Sequence, residues 1–124
     1  GRLFITFRSI ERDPEKVKLH SDNGDWCSEG WIAWIGSYDD LKNGTEGDYR
    51  IKIAHTYLDG QAEPEIEANA DTAYCGNVVL PDGTAVTSSY GRFGEKNADG
   101  SDKTYIISKR INPHDTDELV GFLK

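Results

Sequence analysis

Residues 74–93 read YCGNVVLPDGTAVTSSYGRF. Two runs rich in Val, Thr, Ser and Tyr flank Pro81, Asp82 and Gly83. Proline presets a turn φ and glycine accepts φ > 0, so this stretch predicts a β-hairpin. Outward from it the same grammar repeats. TYIISKRI (104–111) follows the connector NADGSD, and DYRIKIAHTY (48–57) follows KNGTEGD. WIAWIGS (31–37), VKLHS (17–21) and RLFITFR (2–8) complete the set, with DNGD as a further turn. Short β-rich runs at this spacing predict an antiparallel all-β architecture. One helix is expected, at the end of the chain. Pro113 stops the last strand, and Asp115 or Thr116 caps a short turn with Leu119, Val120 and Leu123 on one side. Such a tail would dock on a sheet face.

The chain has 124 residues, the size of one small domain. Its 14 basic and 22 acidic residues give a net charge of −8. That balance argues against a nucleic-acid partner, which calls for a clustered basic face. The longest unbroken apolar run, residues 31–35, is far short of the roughly 20 residues that span a bilayer, so no membrane segment is expected. With no methionine and a glycine at position 1, the sequence reads as a piece of something longer. Cys27 and Cys75 could form one disulfide or remain two thiols. His20, His55 and His114 lie far apart and share no ligand spacing with either cysteine, so no metal site is expected. His114, in a terminal segment, is read as solvated. The 13 glycines are scattered at turns and form no phosphate-binding loop, and no cofactor is expected.

A rough internal repeat divides the chain. Residues 1–44 form one unit, residues 45–112 a second, and residues 113–124 a tail. Each unit has room for four antiparallel strands, the size of a propeller blade. Two blades alone expose faces and edges, which self-association would cover. Three copies closing into a ring is one form of it, and irregular association is another.

Particular motifs carry a resemblance. LFITFRSIERDPEKVKLHSDNGDW (3–26) is similar to a sialidase blade, in which a strand ending in Arg-Ser precedes a second strand and an Asp-box turn. The turn here, SDNGDW at residues 21–26, keeps Ser, Asp, Gly and Trp but is shorter than the full box. YRIKIAHTY resembles the opening strand of the next blade, AYCGNVVLPDGTAVTSSYG a late blade, and TYIISKRI a closing strand. The likeness covers most of the chain and rests on order and spacing more than on any one motif.

Sialidases are six-bladed propellers that cleave terminal sialic acid. The resemblance implies that Arg8 and Arg50 are the second and third of three arginines gripping the substrate carboxylate, and that Tyr74 is the nucleophile. The first arginine, the acid aspartate and the base glutamate would lie before Gly1. Guanidinium forks match a carboxylate bidentately and stay charged. A neutral tyrosine avoids repelling an anionic substrate, and sialidases stand outside the usual two-carboxylate scheme. With an ordinary pKa near 10, the phenol needs a base. Glu29 and Glu46 are the nearest acids in the chain, and neither matches the family position. Gly91 follows Tyr90 where the family often has glutamate, which departs from the enzyme pattern.

Each residue also has a plainer reading. Arg8 at a strand end could pair with a surface acid. Arg50 shares a strand face with Lys52 and could belong to a solvated edge. Tyr74 could be a core tyrosine. Trp31 and Trp34 are three apart in a β run and so point to opposite faces; packing is the expected role, with Trp26 packing in the Asp box and sugar stacking the alternative. The expected function is that of a fragment of an exo-sialidase-like glycoside hydrolase acting on terminal sialic acid of glycans. The alternatives are a non-catalytic glycan-binding propeller and a hydrolase of the same fold for another sugar. The family implies external glycans, hence a secreted or periplasmic parent.

Overall fold

The computed structural model describes residues 1–10, 12–15, 18, 28–54 and 74–122. Among the described residues these elements occur in order: β1 (Arg2–Ile10), β2 (Ser28–Ser37), α1 (Tyr38–Asn43), β3 (Tyr49–Ala54), β4 (Gly76–Val79), β5 (Ala85–Lys96), β6 (Asp102–Ile111) and α2 (Pro113–Leu119). The strands make two antiparallel three-stranded sheets, β1-β2-β3 and β4-β5-β6. The described residues are therefore mostly β, with few helical residues. Pro14, Glu15 and Lys18 are helical, so Lys18 is not in the strand expected of VKLHS; the rest of that run and the box at residues 21–26 lie outside the described residues, as do Cys27, His20 and His55. Strand β3 hydrogen-bonds to β2, so the first sheet runs on to Ala54.

β2 is the centre of the first sheet and explains the apolar run. Trp31, Ile32, Ala33, Trp34 and Ile35 are all buried. A strand covered on both faces reads as continuous apolar residues rather than as an alternation. The register sets Arg8 opposite Trp31, Thr6 opposite Ala33 and Phe4 opposite Ile35 on one face, with Ile5 opposite Trp34 on the other. Both indoles are buried, so neither offers a ring face to a sugar. Burying two such rings contributes about 4–6 kcal/mol each before entropy is set against it. Trp34 fits because its neighbours lack side chains. A Cβ on Gly36 or Gly47 would stand 2.6 Å from the indole, and Gly47 also sits at φ +72°. The indole Nε1 donates to the Glu46 carbonyl at 2.7 Å, so the ring's one polar atom is satisfied.

In the second sheet the hairpin closes as the sequence predicts. Leu80 N–H donates to Thr84 O at 2.9 Å, and Gly83 takes φ +86°. Along β5, Ala85, Thr87, Ser89 and Gly91 are buried in alternation, a face of small residues. Asn77 pairs with Thr87 on that face, and Thr6 pairs with Ala33 on the buried face of the first sheet. The Thr6 and Asn77 side chains exchange hydrogen bonds of 3.0 and 2.9 Å. This exposed pair links β1 of the first sheet to β4 of the second.

The helices differ from expectation. α1 is a second helix where turns alone are expected. Ser37 Oγ accepts from Asp40 N–H at 3.1 Å, while the Asp40 carboxylate accepts from Ser37 N–H at 2.9 Å. This capping box starts the helix, and Gly44 at φ +68° ends it. The Ser37 hydroxyl and next the Thr45 hydroxyl also donate to the Asp40 carboxylate, and with the Ser37 N–H they hold its pKa down at about 2. For α2 the cap is Asn112, not Asp115 or Thr116. Its side chain accepts from His114 N–H at 3.0 Å, and Pro113 fills the first helical position, where a missing N–H costs nothing. The apolar side does not do the docking: Leu119 is 83% exposed. Asp117 does it instead, buried against Arg2 of β1 and Tyr49 of β3. Leu123 lies outside the described residues.

Candidate functional site

The first sheet contributes a cation to the site. Arg8 stands near the end of β1, opposite Trp31, on the face it shares with Thr6. One residue further the β1–β2 register slips between Ser9 and Ile10. Such an irregularity bends a strand and re-aims the side chains beyond it. Arg8 is half-buried.

The second sheet contributes two aromatic rings. Hairpin geometry sets the register: Val79 faces Ala85, Val78 faces Val86, Asn77 faces Thr87 and Gly76 faces Ser88. Continued two residues past Gly76, that register places Tyr74 opposite Tyr90. Cross-strand positions bring side chains into contact. The rings do stack, with centroids 6.2 Å apart and planes 5° from parallel. Tyr90 is half-buried within β5, while Tyr74 is 68% exposed just before β4. Cys75, between Tyr74 and β4, is half-buried.

The two contributions meet. The Arg8 guanidinium carbon lies 5.7 Å from the centroid of the Tyr74 ring. A cation over an aromatic face is attracted by the ring quadrupole, by about 0.5–2 kcal/mol depending on exposure. Arg8, Tyr74 and Tyr90 therefore form one column of a guanidinium and two phenol rings.

Arg50 is not part of that column. It faces Trp34, on the opposite side of the first sheet from Arg8 by the pleat. Its Nη2 lies 2.9 Å from Glu46 Oε2, an exposed ion pair of the kind worth little to stability. The surface reading describes Arg50, and Glu46 is occupied with it. At the position where a glutamate could serve the tyrosines, Gly91 is buried and has no side chain. His114 is exposed, 4.0 Å from Asp115. Among the described residues no cluster of three or more His, Cys, Asp or Glu could hold a metal ion, and no helix is long and apolar enough to cross a membrane.

The family likeness notes Tyr90 only for the residue that follows it and misses its place beside Tyr74. The signal that finds it is the hairpin: a turn centred on Pro81–Gly83 fixes which residues face one another on both arms. No protein-family model matches the chain, and no curated protein or solved structure is significantly similar to it.

Proposed function

We propose that Arg8 and Tyr74 belong to a site that cleaves terminal sialic acid from glycans, in an exo-sialidase-like hydrolase whose sheets are parts of four-stranded propeller blades. One observation carries the reading: the 5.7 Å contact between the Arg8 guanidinium and the Tyr74 ring. Two residues from different parts of the chain, each matching a family position by sequence, stand together. In this role Arg8 binds the sugar carboxylate as a fork. The Tyr74 oxygen attacks the anomeric carbon as the glycosidic C–O bond breaks. The leaving oxygen takes a proton from an acid, and a base takes the phenol proton. Water then hydrolyses the sugar–tyrosine bond, restoring the phenol. The exposed position of Tyr74 leaves room for a terminal sugar to approach.

A second reading is a glycan-binding propeller that does not cleave. The Arg50–Glu46 pair on the far face and the absent side chain at Gly91 favour it. One set of assays on the full-length protein separates the readings, using an aryl α-sialoside and a neutral aryl glycoside. The hydrolase reading predicts release from the sialoside, lost in Tyr74→Phe with sialoside binding retained. Binding without product supports the second reading. Release from the neutral glycoside alone points to another sugar. Full activity in Tyr74→Phe removes Tyr74 as nucleophile.

A further inference from the structure

We propose that Tyr90 is a positioning residue that holds the Tyr74 ring at its working angle; this rests on the sialidase-like reading above. Tyr74 stands outside any strand or helix and is 68% exposed. Its ring angle is therefore assigned to its ring contacts. Among the described residues these are two. Tyr90 lies parallel to it, 5° between planes and 6.2 Å between centroids, and Arg8 stands 5.7 Å from its centroid.

Tyr90 is suited to be the fixed member. It lies within the twelve-residue strand β5, paired with Ile106 of β6. A strand interior holds its Cα and Cβ firmly, so the ring has few degrees of freedom left. A phenol has two side-chain torsions, and a parallel ring alongside restricts the second without touching the hydroxyl. The Tyr74 oxygen stays open to substrate while its plane is set. The Arg8 fork, resting on the same ring, is registered with it. A nucleophile and a carboxylate clamp on one rigid column meet a sugar in a single geometry, and small misplacements at such a site are costly in rate.

The stack needs the Tyr90 ring and not its hydroxyl. The test is steady-state kinetics of the full-length protein on an aryl α-sialoside, with Tyr90→Phe, Tyr90→Val and Tyr74→Phe beside wild type. Valine keeps the strand preference of the site. Tyr90→Phe is expected to match wild type, and Tyr90→Val to lose about 10-fold to 100-fold in kcat with KM little changed. Unchanged kcat in Tyr90→Val overturns the proposal. An equal loss in Tyr90→Phe also overturns it, by assigning the role to the hydroxyl. If Tyr90→Val does not fold, Tyr90→Thr takes its place under the same criteria. Tyr74→Phe keeps the two claims apart. If it is inactive while Tyr90→Val is fully active, the positioning role alone falls. If it is fully active, or if wild type releases no product, the hydrolase reading falls and the positioning role with it.

Discussion

Asp117 of the last helix accepts from both terminal nitrogens of Arg2, at 2.7 Å each, across 115 residues of chain. The fork is bidentate, the geometry in which a guanidinium binds a carboxylate best. Tyr49 of β3 also donates to Asp117, and its hydroxyl lies 2.9 Å from the Thr116 hydroxyl. Arg2 Nε pairs with Asp48 at 2.9 Å, and the guanidinium carbon stands 5.0 Å from the Phe122 ring centroid. The start of the first strand, the start of the third and the end of the chain are thus clasped at one point. The chain closes through a charge network where an apolar helix face is expected.

That clasp is acid-sensitive. The bond from Arg2, and next that from Tyr49, hold the Asp117 pKa down at about 2, against an ordinary value of 3.8. A carboxyl with a lowered folded pKa adds stability above its unfolded value and loses it as pH falls toward the folded one. Thermal unfolding followed by circular dichroism should therefore show Tm dropping between about pH 4 and pH 2. Asp117→Asn should lower Tm at neutral pH and flatten that drop. An unchanged acid profile in the variant would show that the clasp contributes nothing.

Gly47 is required twice over, by its φ of +72° and by the Trp34 ring 2.6 Å from where a Cβ would sit. Gly47→Ala is expected to destabilise by about 1–3 kcal/mol, through backbone strain and displacement of the indole. Urea unfolding monitored by tryptophan fluorescence measures it. Gly83→Ala is the control. It also has positive φ, +86°, but no atom within 4 Å of its Cβ position, so its cost should be the smaller of the two.

Thr87 offers the opposite sign. Its side chain is fully buried, and its Oγ1 has no hydrogen-bond partner among the described residues. An unpartnered buried hydroxyl costs about 1–3 kcal/mol. Thr87→Val removes it at nearly the same shape and should leave stability equal or higher. A clear fall in the urea midpoint would mean that the hydroxyl is hydrogen-bonded in solution.

Much of the fold is legible locally. The Pro81–Gly83 turn and the apolar run of β2 identify themselves by turn chemistry and by two-sided burial. The same hairpin register carries Tyr74 to Tyr90, so counting outward from the turn finds that pair of rings in the sequence. α1 is harder to see. Tyr38 is 67% exposed and Leu41 52%, so no apolar stripe marks it. Its signal is the spacing of Ser37, Asp40 and Gly44, which is capping chemistry rather than periodicity. The Arg8–Tyr74 and Arg2–Asp117 contacts have no local signal. They depend on how two sheets and a terminal helix pack, and pattern within one strand carries no information about that. Arg50 shows the converse. Its motif suggests the site, while the pleat places it on the other face.

If Tyr74 attacks a sugar held by Arg8, the bond it forms can be trapped. The full-length protein is incubated with a fluorinated sialosyl donor that forms the covalent intermediate faster than water removes it. Protease digestion and peptide mass spectrometry then locate the adduct. One added sugar is expected on the peptide carrying Tyr74, absent in Tyr74→Phe and diminished in Arg8→Ala. An adduct on a different residue, or continued turnover with Tyr74 unmodified, would contradict the assignment of Tyr74 as nucleophile.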